Sequence, residues 1–357
     1  MDKILSEHRR TIGDFEVIDV DESEIARLRA KLEIKAPCDI NWTWEYGSEV
    51  AELRQLYEKG KTAQWNASTD LDWSIPVSKD DWVINPEGSL FANVLKMMGK
   101  DEATQKAAAF DELAFTVSQL LHGEQAALQL CGQLTNVCDK MDQKWYAASQ
   151  VIDEARHVEV MARFLSEKMG TIYPIGGTLK VLLDMLLEAQ GMNKKILGMQ
   201  TLFEGMAVGI MEAMRQECRS PLFDRLLQLT GQDEARHAAF GVLQMRRVVA
   251  DATPEEMEDM EDWAFSILEA LNANQQLDML HVLGPKYGIE PDAVVQMMTS
   301  LPNFAELNSI AYMHTVVPNL RRLGLITERT EPRWRELGMM VDSRADRPQF
   351  ELPIAGG

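Results

Sequence analysis

One pentapeptide, Asp153-Glu154-Ala155-Arg156-His157, recurs further along the chain as Asp233-Glu234-Ala235-Arg236-His237. A glutamate precedes each copy at the same interval: Glu124 stands to Glu154 as Glu204 stands to Glu234. The chain therefore carries E-x28-DEARH twice, with no gap or slip between the copies. Within each copy the glutamate and histidine are three apart, which makes them neighbours on one face of a helix. Glu124 stands about 14 residues before a break at Cys138-Asp139-Lys140-Met141-Asp142, and Glu154 about 12 residues after it. Antiparallel helices joined there hold both carboxylates at one height, roughly 20 Å from the turn at 1.5 Å per residue. The second copy behaves the same way around Cys218-Arg219, with Ser220 and Pro221 suited to the N-cap and first helical position of the return helix.

The repeat therefore predicts a four-helix bundle in which Glu124, Glu154, His157, Glu204, Glu234 and His237 converge at one level. One glutamate from each of two helices and a Glu-x-x-His from each of the other two is the donor set of a ferritin-like dinuclear carboxylate site. Oxygen-rich ligation with two imidazoles suits iron or manganese better than zinc. The competing reading, solvated charges on a helix pair, conflicts with the apolar flanks of Glu124 (Leu120, Leu121, Ala126, Ala127) and of Glu204 (Leu202, Phe203, Met206, Ala207). Unpaired carboxylates are costly in such surroundings. Asp153 and Asp233 each precede a candidate ligand and suit the role of acceptor for the outer nitrogen of the opposite histidine. Arg156 and Arg236 are placed to neutralise them. The plainer reading of these four is surface ion pairing.

Helical spacing from the candidate ligands gives a substrate-pocket expectation: Val117, Leu120, Ala127, Leu128, Ala147, Gln150, Val151, Met161, Gln200, Thr201 and Val208. Singly, each is equally a core residue. Together they favour a small apolar or aromatic organic substrate. Thr201 is the nearest hydroxyl to the third glutamate and the candidate for proton delivery.

The net charge of −20 argues against nucleic acid and anionic membrane as partners. No apolar run reaches membrane-span length, and the first residues lack the order of a signal peptide. Four cysteines without close pairing (Cys38, Cys131, Cys138, Cys218) read as reduced thiols, which places the protein in the cytoplasm. The chain reads as one all-α domain over residues 1–357, with a bundle core at about 101–250. Residues 1–20 read as a polar leader and show no strand signal. Helices are expected over 21–34, 41–59, 87–98, 101–137, 143–169, 178–190, 193–217, 221–249, 253–280, 291–298 and 303–323. A Trp-rich irregular segment spans 64–77, its tryptophans read as anchors, and an extended tail spans 341–357. The helix over 178–190 is the crossover that starts the third core helix from the correct end.

The doubled E-x28-DEARH resembles the non-haem diiron-carboxylate oxygenases of the ferritin-like superfamily, over about residues 101–250. That group includes multicomponent monooxygenase hydroxylases, acyl-carrier-protein desaturases, arylamine N-oxygenases and R2-like oxidases. The resemblance implies an all-α fold with a ferritin-like four-helix core and flanking helices, two iron ions (manganese or mixed Mn/Fe in some relatives), and O₂ as co-substrate. It implies the six residues above as ligands, with Asp153 and Asp233 bonded to the opposite histidines. Met161 stands where ribonucleotide-reductase-like subunits place a radical tyrosine, which argues against radical storage. Thr230 stands where arylamine N-oxygenases add a third histidine, which argues against that subgroup. Ala207 and Val208 occupy the place of the usual threonine after the third glutamate. His122, on another face, is not expected to be a ligand. With no flavin, haem or iron–sulfur motif, an external ferredoxin or reductase is implied, and a homodimer is allowed. The alternatives are a ferritin-like peroxidase or catalase, or a Mn/Fe oxidase without a separate organic substrate. Iron storage is disfavoured by the flanking helices.

Overall fold

Asp101 opens the longest helix by accepting a hydrogen bond from Thr104 N at 2.9 Å, satisfying one of the first-turn amides that a helix leaves unpaired. The structure, a computed structural model, describes residues 9–12, 15–18, 35–36, 38–272, 275–299, 312–313 and 315–340. An antiparallel strand pair, β1 (Arg9–Ile12) and β2 (Phe15–Ile18), comes first. Then follow α1 (Ala51–Thr62), α2 (Leu90–Met97), α3 (Glu102–Val137), α4 (Met141–Arg163) and α5 (Gly177–Glu188). Next is α6, which runs from Met192–Lys195 through Ile196–Phe203 into Glu204–Glu217, and then α7 (Pro221–Asp251). The remaining helices are α8 (Pro254–Asn272), α9 (Gln275–Tyr287), α10 (Pro291–Thr299), α11 (Val316–Arg322) and α12 (Glu331–Glu336). Phe164–Met169, at the end of α4, and Ile196–Phe203, inside α6, widen to π geometry.

The core pairs α3 with α4 and α6 with α7; α1 lies across α4 and α7, α5 against α3 and α8, and α9 against α3 and α5. This is an all-α, ferritin-like architecture with flanking helices. The apolar interior is divided. Ala126, Ala127, Leu130, Tyr146, Ala147 and Phe240 belong to one buried cluster. Val117, Leu121, Val160, Met161, Leu226 and Leu227 belong to another. On α3, α4 and α7, the residues that separate the two clusters in sequence include acidic members of the repeat, whereas Glu204 on α6 lies between Leu202 and Met206 of the first cluster. Gly241 lets α7 come close to the π stretch, since a Cβ there would meet Gln200 backbone oxygen at 2.7 Å.

Three carboxylates, two on the core and one on α9, hold flanking helices near their first turns. Asp142 accepts from Glu49 N (2.7 Å) and Val50 N (2.8 Å) at the start of α1. Glu112 accepts from Ser89 Oγ (2.5 Å), Leu90 N (3.0 Å) and Phe91 N (3.1 Å) at the start of α2. Asp278 of α9 accepts from Thr178 N (3.0 Å) at the start of α5. Each places negative charge where helix amides and dipole favour it.

Four expectations need correction. Residues 41–49 are not helical, and the helix begins at Ala51. Ile40, Trp42, Trp44 and Tyr46 alternate in sequence along a non-helical segment and are exposed, a period of two rather than 3.6; Asn41 pins the segment through Asn41 N to Asn136 O (2.8 Å) and Asn41 Nδ2 to Val137 O (2.6 Å). The helix expected over 253–280 is two helices, α8 and α9. The leader contains a strand pair, and its sequence has the signal: Thr11-Ile12 and Phe15-Glu16-Val17-Ile18 flank Gly13-Asp14. The short α12 had no counterpart in the sequence reading. The expected helix at 21–34, the first part of that at 303–323, and the tail at 341–357 lie outside the described residues.

Asp142 is fully buried and its Oδ2 takes both α1 amides. Asp142→Ala is expected to lower stability by about 2–3 kcal/mol, the usual cost of losing charge-assisted bonds to buried amides. A denaturant titration showing a loss below about 0.5 kcal/mol would make that contact incidental.

Candidate metal centre

The four core helices deliver Glu124 (α3), Glu154 and His157 (α4), Glu204 (α6), and Glu234 and His237 (α7) into one buried layer. Two groups of four donors form there: Glu124, Glu154, His157, Glu234 and Glu154, Glu204, Glu234, His237, with the donor atoms of each group within 4.8 Å of one another. Glu154 and Glu234 belong to both groups. Glu124 and Glu204 each belong to one.

Both histidines turn Nδ1 inward. His157 Nδ1 lies 2.9 Å from Glu234 Oε1, 3.2 Å from Glu124 Oε2 and 3.3 Å from Glu154 Oε2. His237 Nδ1 lies 2.9 Å from Glu234 Oε2 and 3.2 Å from Glu154 Oε1. Each Nε2 faces an aspartate across the bundle: His157 to Asp233 Oδ2 at 3.0 Å, His237 to Asp153 Oδ2 at 3.3 Å. Such an outer acceptor fixes ring orientation and leaves the inner nitrogen free to donate its lone pair.

The aspartates are in turn neutralised. Arg156 Nη2 donates to Asp153 Oδ1 (2.7 Å) and Asp233 Oδ2 (2.8 Å). Arg236 Nη2 bonds Asp233 Oδ1 and reaches Asp153 Oδ2 at 3.4 Å. These four are not a surface ion-pair set, because Asp153, Asp233 and Arg156 are buried. The Trp-rich segment closes over them, with roles that sequence spacing did not reveal. Gln64 Nε2 donates to Asp153 Oδ1 (2.8 Å) and Gln64 Oε1 accepts from Arg156 Nη1 (2.6 Å). Trp65 Nε1 donates to Asp233 Oδ2 (2.8 Å), and its ring stacks near His157 with Arg156 above it.

The charge distribution is that of a cation site. Burial, then the charges of Glu234 and Glu154, push the Glu124 carboxyl up to about 8. Glu204 is raised well above its ordinary range by burial and by the same two carboxylates. Burial acts on Glu234 as well, yet His237, a hydrogen bond with Glu204 and His157 hold it well below. The imidazoles resist burial: Glu154 and Glu234 raise His237 to about 10, and Glu234 and Glu124 raise His157 well above its usual value. Without a cation, the layer answers its own repulsion by holding protons. Glu154 Oε2 and Glu234 Oε1, on the two shared carboxylates, make no directed hydrogen bond. Four carboxylates against two divalent cations is a neutral count, with Asp153 and Asp233 already matched by Arg156 and Arg236. The residues present fit two metal ions.

A second network lies on the Glu204 side. Gln150 Nε2 donates both to Glu154 Oε1 (2.8 Å) and to Glu204 Oε1 (2.9 Å). Gln200 Nε2 reaches Cys131 Sγ (3.7 Å), itself 4.0 Å from Glu154 Oε1. Thr201 is fully buried with an unpartnered Oγ1.

On the Glu124 side a cavity of about 200 Å³ opens between α3 and α6, under α5 and α9. Its wall includes Phe115, Leu120, Gly123, Glu124, Phe203, Met206, Ala207 and Ile210. Of the residues expected to line a pocket, only Leu120 does so. Val117 and Met161 lie in an apolar cluster, Gln150 and Gln200 in the amide network, and Leu128, Val208 and Thr201 outside this wall. The π stretch is the physical cause on α6: it shifts the phase of residues before Glu204 away from α-helical spacing. His122 bonds Tyr173 O at 2.9 Å and takes no part in either donor group.

The raised groups set a pH dependence for protein stripped of metal. A group whose folded pKa exceeds its unfolded one stabilises the fold below the unfolded value, and that contribution is lost as pH rises through the folded value. For Glu124 that window runs from 4.5 to about 8 and for His237 from 6.5 to about 10. The melting temperature of chelator-treated protein is therefore expected to fall steadily between about pH 6.5 and 8. Calorimetry showing a flat or rising midpoint across that window would contradict the proton-holding layer.

No curated protein matches the chain. Among solved structures, an R2-like ligand-binding oxidase from Sulfolobus acidocaldarius aligns with 16% identity over 78% of this chain and 92% of its own, with a TM-score of 0.48. Another R2-like ligand-binding oxidase, with an aerobically reconstituted Mn/Fe cofactor, aligns with 17% identity over 79% and 98% of the two chains, with a TM-score of 0.45. A family model described as P-aminobenzoate N-oxygenase AurF matches residues 48–276, well over half the chain. Thr230, fully buried with an unpartnered hydroxyl, had counted against this subgroup, and the match overturns that inference. The chain belongs to the p-aminobenzoate N-oxygenase AurF family.

Proposed function

We propose that the protein is a dinuclear non-haem metal oxygenase or oxidase that uses O₂ to oxidise a small, mainly apolar organic molecule, by hydroxylation, N-oxygenation or desaturation. The carrying observation is the pair of four-donor groups sharing Glu154 and Glu234. In this reading Glu124, Glu154, His157 and Glu234 hold one ion, and Glu154, Glu204, Glu234 and His237 the other. Iron suits the oxygen-rich, two-imidazole set, and manganese or a mixed pair uses the same donors. When bound, two such ions supply a place for O₂ and electrons to reduce it.

The chain's own residues do the rest. Asp153 and Asp233 fix the imidazoles, Arg156 and Arg236 cancel the aspartate charge, and Gln150 holds Glu154 and Glu204 apart through one amide. The cavity gives a substrate a way to the Glu124 edge along the apolar Phe115, Phe203 and Met206. That cavity favours oxidation of an organic substrate over a peroxidase or catalase, which needs no such space. Inserting one oxygen atom into a substrate while the other leaves as water takes two electrons and two protons. With no flavin, haem or cluster motif in the sequence, we assign the electrons to an external ferredoxin or reductase. None of the described helices is long and apolar enough to cross a membrane. The described cysteines are free thiols, which supports a cytoplasmic setting.

Glu154→Ala and His237→Ala are each expected to reduce bound metal from two ions to one or none and to abolish substrate-dependent O₂ uptake. Two ions per chain in either variant, by elemental analysis, would overturn the ligand assignment. Asp233→Ala removes an acceptor shared by His157, Trp65 and Arg156, and should weaken metal affinity about 10–100-fold. A competition titration giving wild-type affinity would remove Asp233 from the support of the site.

A further inference from the structure

Asp142, Tyr146, Gln150 and Glu154 follow one another at intervals of four along α4, so they form one row on the helix surface. All four are at most 1% exposed. Each leaves one polar atom without a hydrogen bond among the described residues: Asp142 Oδ1, Tyr146 Oη, Gln150 Oε1 and Glu154 Oε2. The row begins beside the surface, where Asp142 Oδ2 takes the amide of the exposed Glu49 (2.7 Å), and it ends in the metal layer. At 1.5 Å per residue it climbs about 18 Å. Two further unpartnered atoms flank it. Gln143 Nε2 donates to Gln244 Oε1 across the bundle (3.0 Å), and Gln244 Nε2 has no acceptor. Gln200, whose Nε2 reaches Cys131 Sγ (3.7 Å), has no donor for its Oε1. The row stands on the opposite side of the layer from the cavity. The cavity touches α3 between Phe115 and Glu124, whereas the α3 residue beside Glu154 Oε1 on the row's side is Cys131, at 4.0 Å.

A phenol with nothing to bond is a poor occupant of an apolar cluster. Tyr146 stacks on Phe240 inside one, with ring centroids 4.5 Å apart. Phenylalanine would fill nearly the same space, and a buried hydroxyl left unsatisfied costs about 1–3 kcal/mol. Burial raises this phenol well above its ordinary value, with Arg236 opposing and Asp153, Glu204 and Cys131 adding to the rise. The hydroxyl therefore keeps its proton, and it lies within electrostatic reach of both the aspartate–arginine lattice and the metal layer. Buried polar atoms are almost always satisfied, by protein or by ordered water. A buried water makes about three hydrogen bonds, which is what a run of such atoms at one end of the core offers.

We propose that the row Asp142, Tyr146, Gln150 holds a file of water molecules that supplies protons to the Glu154–Glu204 edge of the metal layer, apart from the route of the organic substrate. The proton role rests on the oxygenase reading above, in which two protons are taken up for each oxygen atom inserted. Each hop forms one O–H bond as it breaks another. In one concerted shift Tyr146 Oη takes a proton from the water on the Asp142 side and passes its own to the water beside Gln150, and no electron moves. Tyr146 makes no hydrogen bond to any of the six candidate ligands; it is a positioning residue that acts through those waters. A crystal structure of the metal-loaded, full-length protein that records ordered solvent should show water within about 3.2 Å of both Tyr146 Oη and Gln150 Oε1. A dry contact at either atom overturns the proposal. Tyr146→Phe removes the hydroxyl and keeps the ring stack. Loaded anaerobically with Fe(II) and then mixed with O₂ in H₂O and in D₂O, this variant should hold as much iron as wild type, consume O₂ about tenfold more slowly, and show a larger solvent isotope effect. A wild-type rate overturns the proposal. So does a slower rate with an unchanged isotope effect, which would reduce Tyr146 to packing. Ferrous wild-type protein inert to O₂ would overturn the proton role by sinking the oxygenase reading, a failure that the crystal structure tells apart from a dry row.

Discussion

Four carboxylates held in one dry layer repel one another, and most of the architecture can be read as the means of making that tolerable. Two divalent cations would cancel the layer; burial and mutual repulsion raise Glu124 and Glu204, and the carboxylates raise both imidazoles, toward their protonated forms, which does part of the same work. The next shell is already neutral, two aspartates against two arginines. All four carboxylates are buried, so water does little to relieve the repulsion. The polar layer costs stability on its own account, and the long paired helices hold it in place.

The same chemistry recurs at smaller scale around the bundle. Asp142, Glu112 and Asp278 each take the unpaired amides at the start of a flanking helix. A buried acid satisfied by helix amides is stable where a bare one is not. These contacts fix α1 and α2 on the core and α5 against α9, and α5 and α9 form the outer wall of the cavity. The Trp65 indole and Gln64 amide add a lid to the aspartate–arginine lattice from the segment that follows α1.

The bundle and the six converging side chains were legible because they depend on intervals counted along helices, and a motif repeated at one constant offset leaves little freedom in those intervals. The capping signal at Ser220-Pro221 was legible for the same local reason. What failed depends on departures from regular geometry. Gln200 and Thr201 were assigned to a pocket by α-helical spacing, and the π stretch Ile196–Phe203 changes that phase. Trp42, Trp44 and Tyr46 have the apolar content of a helix, but they alternate with a period of two rather than 3.6. Gln64 and Trp65 reach the site from far away in sequence, and no local pattern announces a contact of that kind. The pocket wall combines α3 and α6 with α5 and α9, a juxtaposition that no single stretch encodes.

The two copies of the repeat differ at the equivalent positions 150 and 230 in a way that touches the site. Gln150 spans Glu154 and Glu204 with its amide, whereas Thr230, its counterpart in the second copy, contributes a hydroxyl with no partner. The cavity meanwhile opens at Glu124 and not at Glu204. The two copies of the repeat thus have unequal surroundings: Glu204 is braced by an amide, and Glu124 stands in the wall of the cavity. A pair of chemically identical ions placed there would cease to be equivalent, and the protein scaffold alone would decide which of them meets the substrate.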